Sequence, residues 1–175
     1  MKRANSRIIF ALFVVIISIL YINTKKQSPN LNPNRWPTNI NYFIRDLHKV
    51  TYFSYPDQND IAFSVNELKN KVTVVDFFFT SCPMICPDMM RYMREIAIDY
   101  KNNPNVQFLS ISVDPLNDTK AVINNYILRH EANFNSWYFL GSDSSSIEAL
   151  VEKGFLLSAD NLPGEHSQKF ILINP

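Results

Sequence analysis

Residues 72–87 of the chain read VTVVDFFFTSCPMICP, and this stretch decides the fold. Its first half, Val72–Phe79, is a continuous run rich in β-branched and aromatic residues, which is typical of a strand buried on both faces. Pro87 is well placed as the first residue of a helix that the pattern extends to Lys101. In open α/β sheets, ligand and active sites lie where such strands end.

Two cysteines stand at this junction of strand and helix, and they are the only two in the 175 residues. A disulfide between Cys82 and Cys86 would close too small a loop to stabilise a fold, so the pair indicates chemistry more than architecture. Cys86 lies at the predicted helix N-terminus, where the helix dipole and free N–H groups favour the thiolate. The alternative is a pair of buried thiols that never meet a metal, because free cysteine is commonly buried.

Histidines are the next candidates for ligands. The chain has three of them: His48, His130 and His166. Thiolates favour Cu(I), zinc or iron–sulfur chemistry; a structural zinc site needs four protein ligands, so two cysteines and one histidine suit copper better. His166 is the best third ligand, because it follows residues 163–165 on a predicted loop and can point at the thiols. His130 lies near the end of a predicted helix and is interpreted as a surface or capping residue.

Methionines also cluster around the cysteines: Met84, Met89, Met90 and Met93. Thioether sulfur is a soft copper ligand. Met89 and Met93, however, share the apolar face of the predicted helix, where methionine is a common core filler. We therefore expect core packing for the helix methionines, and Met84 is the one expected nearest to a bound ion.

The rest of the chain after residue 50 alternates strands with helices. A hairpin is predicted from Thr51–Tyr55 and Ile61–Val65, and a helix capped by Asp118 is predicted to run to Glu131. Further strands are predicted at Val106–Val113, Trp137–Leu140, Phe155–Leu157 and Lys169–Ile173, and a short helix ends near Lys153. This alternation predicts an α/β fold with a largely parallel sheet.

The first residues carry a membrane signal. Ile8 to Ile22 form an apolar run that only Ser18 interrupts, with basic residues on both sides. The run fits a signal-peptide core almost as well as a spanning helix, but no small-x-small cleavage site follows it. We expect an uncleaved single-pass anchor over residues 1–24 in the inner (cytoplasmic) membrane and an extended linker over 25–49. The domain at 50–175 would then face the periplasm or another extracytoplasmic side.

The overall composition excludes some classes of protein. Hydrophobic residues make up 46% of the chain, which suits a packed core rather than disorder. The formal net charge is +1, so no basic surface for nucleic acid is expected.

Several blocks resemble, in order, the Sco/SenC family of copper chaperones for cytochrome c oxidase. They are residues 78–87 with the Cys-x-x-x-Cys-Pro motif, Ser110–Pro115 with Ser-Val-Asp-Pro, Phe134–Gly141, Glu165–Ser167 and Phe170–Pro175. The likeness covers roughly residues 50–175, and the blocks together are specific where the cysteine motif alone is not.

The resemblance implies a thioredoxin-like fold in which Cys82, Cys86 and His166 hold copper, as Cu(I) or Cu(II). It places Asp114 near the site, as a neighbour of the ligands or a weak Cu(II) ligand; a turn residue before a proline is an equal alternative. The implied partner is cytochrome c oxidase subunit II, or another copper-receiving protein. The family's domain normally continues with another strand and a closing helix. Because the chain ends at Pro175, we expect both of these elements to be missing.

Three functions remain to be compared. The first is a copper metallochaperone that assembles the binuclear copper centre of the oxidase, with no catalytic residue. The second is a thiol–disulfide oxidoreductase using Cys82 and Cys86 as a redox disulfide, and the third is a peroxiredoxin-like peroxidase. Dedicated oxidoreductases of this fold use Cys-x-x-Cys, so the longer spacing and His166 favour metal. The first two roles can coexist, since oxidation of the pair would release copper.

Overall fold

The structure, a computed structural model, describes residues 48–141 and 144–175. The predicted anchor at 1–24 and most of the predicted linker lie outside the described residues. Within the described part of the chain, no helix has the length and apolar character that crossing a bilayer requires.

A small hairpin precedes the main sheet. Strand β1, Ser54–Pro56, pairs antiparallel with β2, Ala62–Ser64, which confirms the predicted hairpin with shorter strands. The carboxylate of Asp57 shapes the turn by accepting hydrogen bonds from the N–H groups of Asn59 and Ile61, at 2.7 and 2.9 Å. A short 3₁₀ helix follows the hairpin and leads into the sheet.

Four strands form the main sheet. They are β3 at Val72–Phe78, β4 at Val106–Ser112, β5 at Trp137–Leu140 and β6 at Ile171–Ile173. Their order across the sheet is β5-β4-β3-β6, with β3, β4 and β5 parallel and β6 antiparallel to β3. The predicted largely parallel α/β sheet is confirmed, and β3 stands between two neighbours, as its apolar sequence requires.

Helices cover the sheet on both faces. Helix α1 spans Ile85–Tyr100, α2 spans Lys120–Arg129, and α3 spans Ser144–Ala149 and continues as a π-helix over Leu150–Gly154. Alternate residues of β3 point to opposite sides: Phe78 packs with α1 and α2, whereas Phe77 packs with α3 and the hairpin. The sheet is therefore a layer between two apolar cores.

Three local predictions are wrong. Helix α1 begins at Ile85 rather than Pro87, so Cys86 lies inside its first turn. The N-cap of α2 is Thr119, whose side chain accepts from the N–H of Val122, and not Asp118. Phe155–Leu157 is not a strand. Phe155 closes the π-helix and packs edge-on against Phe77, so its apolar character serves the core instead.

Candidate metal centre

Cys86 is the first residue of the buried stripe of α1. The residues of this stripe recur at helical spacing and pack against the sheet: Cys86, Met90, Met93 and Ala97. Cys86 is accordingly 2% exposed. Burial raises the pKa of its thiol to about 12, with a further increase from the hydrogen bond and charge of Cys82. The expectation that the helix N-terminus makes Cys86 the thiolate is therefore wrong, because burial outweighs the dipole.

Cys82 lies in the turn before α1 and is partly exposed. The backbone N–H of Cys86 points at its Sγ atom, 3.4 Å away. Burial alone would raise the pKa of this thiol, but hydrogen bonds from the Cys86 thiol and from backbone N–H groups of the first turn outweigh it and lower the pKa. The helix N-terminus thus favours the thiolate of Cys82, one turn before the residue that the sequence indicated.

His166 is brought to the thiols by the long segment between the π-helix and β6. Its Nε2 atom lies 3.4 Å from Sγ of Cys86, and the side chain is buried. Its Nδ1 atom lies 3.1 Å from the carbonyl oxygen of Ser167. A carbonyl can only accept, so the proton is on Nδ1 and Nε2 directs a lone pair at Cys86. Burial lowers the pKa of His166, which keeps the ring neutral and able to bind a metal.

The ligand atoms of Cys82, Cys86 and His166 all lie within 4.8 Å of one another. Among the described residues, these three side chains are the ones whose donor atoms converge in this way. Two sulfurs and one imidazole nitrogen form a soft donor set, which fits Cu(I) by its chemistry. Cys86 is buried and Cys82 is partly exposed, so this group of donor atoms is open to solvent on the Cys82 side.

Three other residues singled out from the sequence are not part of this group of converging donor atoms. The carboxylate of Asp114 accepts from the side-chain amide of Asn117, and its backbone carbonyl accepts from the N–H of Asn117 and Asp118, so it shapes its own turn. His130 is the C-cap of α2 and packs on the ring of Tyr126. His48 lies 2.9 Å from the carbonyl oxygen of Lys153.

The methionines around the cysteines differ in burial. Met89, Met90 and Met93 are buried along α1, which confirms core packing. Met84 stands between the two cysteines and is 80% exposed. The expectation that Met84 lies nearest to a bound ion stays a prediction.

Two neighbours of the site were not identified from the sequence. Phe79 packs edge-on against the ring of His166, with centroids 5.4 Å apart. Ser167 holds the other ring nitrogen through its backbone carbonyl. A contact made by a backbone carbonyl does not depend on the type of residue, so the sequence cannot indicate it. Phe79 appears in the sequence only as the last residue of an apolar run.

A buried carboxyl group stands on the α1 side of the sheet. Asp76 on β3 accepts from the hydroxyl of Ser110 at 2.5 Å, and that hydroxyl oxygen accepts from the indole N–H of Trp137 at 2.9 Å. Burial raises the pKa of Asp76 to about 7, opposed by the Ser110 hydrogen bond. Negative charge on Asp76 in turn contributes to the raised pKa of Cys86.

A model of the SCO1/SenC family matches residues 45–175. The chain belongs to the SCO1/SenC family. Membership confirms the resemblance found in the sequence blocks, and the matched range contains every described residue of the site.

Solved structures agree with this SCO1/SenC assignment. The structure of BsSco, described as a member of the Sco family of cytochrome c oxidase assembly proteins with a disulfide switch, is 31% identical. It aligns with a TM-score of 0.64 over 73% of this chain and 78% of that chain. ScoI from Bradyrhizobium japonicum, solved with copper bound, is 27% identical with a TM-score of 0.52, over 72% of this chain and 78% of that chain.

A more distant likeness defines the fold. The thioredoxin domain of a thiol-disulfide oxidoreductase from Bacteroides vulgatus aligns with a TM-score of 0.56 over 73% of this chain and 80% of that chain. At 16% identity it shows the fold alone. The predicted thioredoxin-like α/β fold is confirmed, with the cysteines at the carboxyl end of β3.

Proposed function

We propose that this SCO1/SenC protein is a metallochaperone that binds Cu(I) through Cys82, Cys86 and His166. The observation that carries the proposal is the convergence of these three donor atoms within 4.8 Å, with the two cysteines just after the carboxyl end of β3. Copper bound to a related ScoI supports the choice of metal. The neutral His166 ring and the soft sulfurs match what Cu(I) prefers.

Binding of Cu(I) at this site releases a proton. Cys86 is protonated at neutral pH, so Cu(I) takes the place of its thiol proton, which leaves to solvent. Cys82, with its lowered pKa and partial exposure, is the sulfur that an incoming ion or a receiving protein meets first. A site closed behind Cys86 and open at Cys82 suits transfer of an ion between proteins.

The test is Cu(I) stoichiometry and affinity of the full chain, measured by competition with bicinchoninate. Wild type is expected to bind one Cu(I), and Cys82→Ser, Cys86→Ser and His166→Ala are each expected to weaken binding sharply. His130→Ala is the matched control, because it removes a histidine at the C-cap of α2 that lies outside the converging group. Unchanged affinity in His166→Ala would refute the three-ligand site.

A second candidate, thiol–disulfide exchange, is favoured by the unequal thiols. Cys82 is partly exposed with a lowered pKa, and Cys86 is buried beside it with a raised pKa. In this reaction the Cys82 thiolate attacks a partner disulfide and forms a mixed disulfide. Cys86 then attacks Cys82 Sγ, giving a Cys82–Cys86 disulfide and two partner thiols, so the partner gains two electrons. The reduction potential of the pair tests it: a value well above that of the partner disulfide removes this candidate, because the dithiol could then not reduce the partner.

The receiving partner we propose is cytochrome c oxidase subunit II, with its binuclear copper centre. A relative described as a cytochrome c oxidase assembly protein supports this choice. The check is transfer of Cu(I) from the loaded full chain to the copper-binding domain of subunit II, followed by the absorbance of its copper centre. No transfer above the rate seen from free Cu(I)–bicinchoninate would count against this partner.

The location we propose is the extracytoplasmic face of the inner membrane, held by the apolar run at residues 8–22. Carbonate washing of membranes tests the anchor, because an integral protein stays with the lipid. Release of the protein by carbonate would contradict it, and protease accessibility in spheroplasts tests the side.

A further inference from the structure

The carboxylate of Asp118 joins the two loops that leave the carboxyl ends of β3 and β4. Asp118 is only 4% exposed. Its oxygens accept from the backbone N–H of Thr80 at 3.2 Å, from the Thr80 hydroxyl at 2.5 Å and from the Ser112 hydroxyl at 2.6 Å. One side chain thus ties the segment after β3 to the last residue of β4.

The Thr80 end of this connection leads directly to a candidate ligand. Thr80 lies in a turn closed by the N–H of Cys82, which donates to the carbonyl oxygen of Phe79 at 3.2 Å. After this turn, the Sγ atom of Cys82 lies 3.4 Å from the backbone N–H of Cys86 in the first turn of α1. Fixing Thr80 against β4 therefore fixes the approach of Cys82 to the start of α1.

Helix capping does not account for this carboxylate. The cap of α2 is supplied by the side chain of the next residue, Thr119. None of the ion pairs among the described residues includes Asp118. Burying a carboxylate away from a cation is costly unless hydrogen bonds compensate it, and here the hydrogen bonds come from Thr80 after β3 and from Ser112 at the end of β4.

We propose that Asp118 is a positioning residue, which holds the turn before Cys82 so that Cys82 Sγ shares one ion with Cys86 and His166. This inference rests on the proposed copper site and adds a residue that touches none of its ligand atoms. The same turn sets the distance between the two sulfurs, so Asp118 also governs how readily the pair forms a disulfide.

Three substitutions isolate this connection in the full chain. Asp118→Asn replaces the carboxylate with an amide of similar shape. Thr80→Val removes only the hydroxyl donor and keeps the backbone N–H, whereas Thr80→Ser keeps both and serves as the conservative rescue. Asp57→Asn is the matched control, since that buried carboxylate accepts backbone hydrogen bonds within the β1–β2 turn.

Each variant is measured for Cu(I) affinity with bicinchoninate, for the Cys82–Cys86 equilibrium constant with glutathione, and for its melting temperature. We expect Asp118→Asn to lose about 10-fold or more in Cu(I) affinity, the range found when residues supporting metal ligands are changed. Thr80→Val is expected to lose affinity in the same direction, Thr80→Ser to match wild type, and Asp57→Asn to change the melting temperature only. A double variant, Asp118→Asn with Thr80→Val, should lose less than the sum of both.

One result would overturn the inference. It is that the folded variants Thr80→Val and Asp118→Asn have a lowered melting temperature, while their Cu(I) affinity and their equilibrium with glutathione stay as in wild type. If Asp118→Asn does not fold, Thr80→Val decides alone, with Thr80→Ser as its reference. Failure of the copper proposal is distinguishable, because wild type itself would then bind no Cu(I). The glutathione equilibrium needs no copper and still supports or refutes the positioning role.

Discussion

The Nε2 atom of His166 lies 3.4 Å from the Sγ atom of Cys86, although 80 residues separate the two in the chain. The contact joins the first turn of α1 to the segment that leads into β6. Because the other ring nitrogen is held by the Ser167 carbonyl, the lone pair of His166 faces the buried thiol. This pair is the closed side of the candidate copper site, and Cys82 completes it from the solvent side.

The His166 contact predicts an uncommon tautomer. In the reduced, metal-free protein we expect the proton on Nδ1 and none on Nε2, because Nδ1 faces a carbonyl oxygen. Long-range ¹H–¹⁵N correlation spectra of the imidazole ring measure this directly. His48 is an internal control, because its Nε2 atom faces the carbonyl oxygen of Lys153 and should carry the proton there. An Nε2–H pattern for His166 would show that its lone pair does not face Cys86.

The two cysteines are expected to react at different rates. Cys82 is partly exposed with a lowered thiol pKa, whereas Cys86 is buried with a pKa of about 12. Since the thiolate is the nucleophile, iodoacetamide at pH 7.5 should modify Cys82 first by a wide margin. Fragment-ion mass spectrometry of the peptide that contains both residues separates the two products. In urea the difference should vanish, and preferential labelling of Cys86 in the native protein would contradict the assignment.

Asp76 should make the free energy of unfolding depend on pH. Its pKa is about 7 in the folded protein against 3.8 for the ordinary group. Between these values the folded protein keeps a proton that the unfolded chain has lost. The contribution of Asp76 is therefore full below about pH 4 and is lost as the pH rises to about 7. Its titratable neighbours Cys86 and Tyr126 both have raised pKa values and ionise above this window.

Urea unfolding of wild type and Asp76→Asn at pH 5 and pH 8 tests this dependence. Asparagine keeps the acceptor for the Ser110 hydroxyl and cannot ionise, so the variant should lose less stability between the two pH values than wild type. Asp99→Asn, an exposed change of the same charge on α1, should leave the wild-type difference intact. Equal pH differences in wild type and Asp76→Asn would show that Asp76 does not titrate in this range.

Tyr126 carries a buried hydroxyl that finds no hydrogen-bond partner among the described residues. Its ring stacks on Phe78, so the packing survives loss of the hydroxyl. Tyr126→Phe is expected to raise the free energy of unfolding by about 1 kcal/mol, because an unpaired buried polar atom is removed. Urea unfolding at pH 7 measures the change.

A second tyrosine provides the matched control for Tyr126. The hydroxyl of Tyr55 donates to the backbone carbonyl of Ser146 at 3.1 Å. Tyr55→Phe should therefore lower the free energy of unfolding by about 1 kcal/mol, the usual net value of one hydrogen bond. If both phenylalanine variants destabilise the protein equally, the Tyr126 hydroxyl has a partner that stabilises it.

Much of the scaffold follows from local sequence patterns. The run at Val72–Phe79 predicts β3 to within one residue, and Trp137–Leu140 is predicted with its observed bounds. Such strands are readable because burial on both faces demands continuous apolar residues. Phe155–Leu157 failed for the same reason, since apolar character signals burial but does not distinguish a strand from the closing turn of a helix.

The sequence by itself singled out the three residues whose donor atoms converge in the structure. Residue chemistry and the Cys-x-x-x-Cys spacing single out Cys82 and Cys86, and the loop before Lys169–Ile173 supplies His166. The sequence did not indicate the contacts of Asp118. Its position predicts a helix cap, but in the structure its carboxylate accepts hydrogen bonds from the hydroxyls of Thr80 and Ser112.

Only the tertiary structure decided which thiol ionises more readily. The sequence places Cys86 at a helix N-terminus, where the dipole favours a thiolate, but the fold turns that residue onto the buried stripe of α1. Burial against the sheet then raises its pKa, while the N–H groups of the same helix turn lower that of Cys82. For Cys86, desolvation outweighs the effect of the helix N-terminus. Desolvation depends on which residues pack against the thiol in the fold, and the neighbouring residues in the sequence do not specify these.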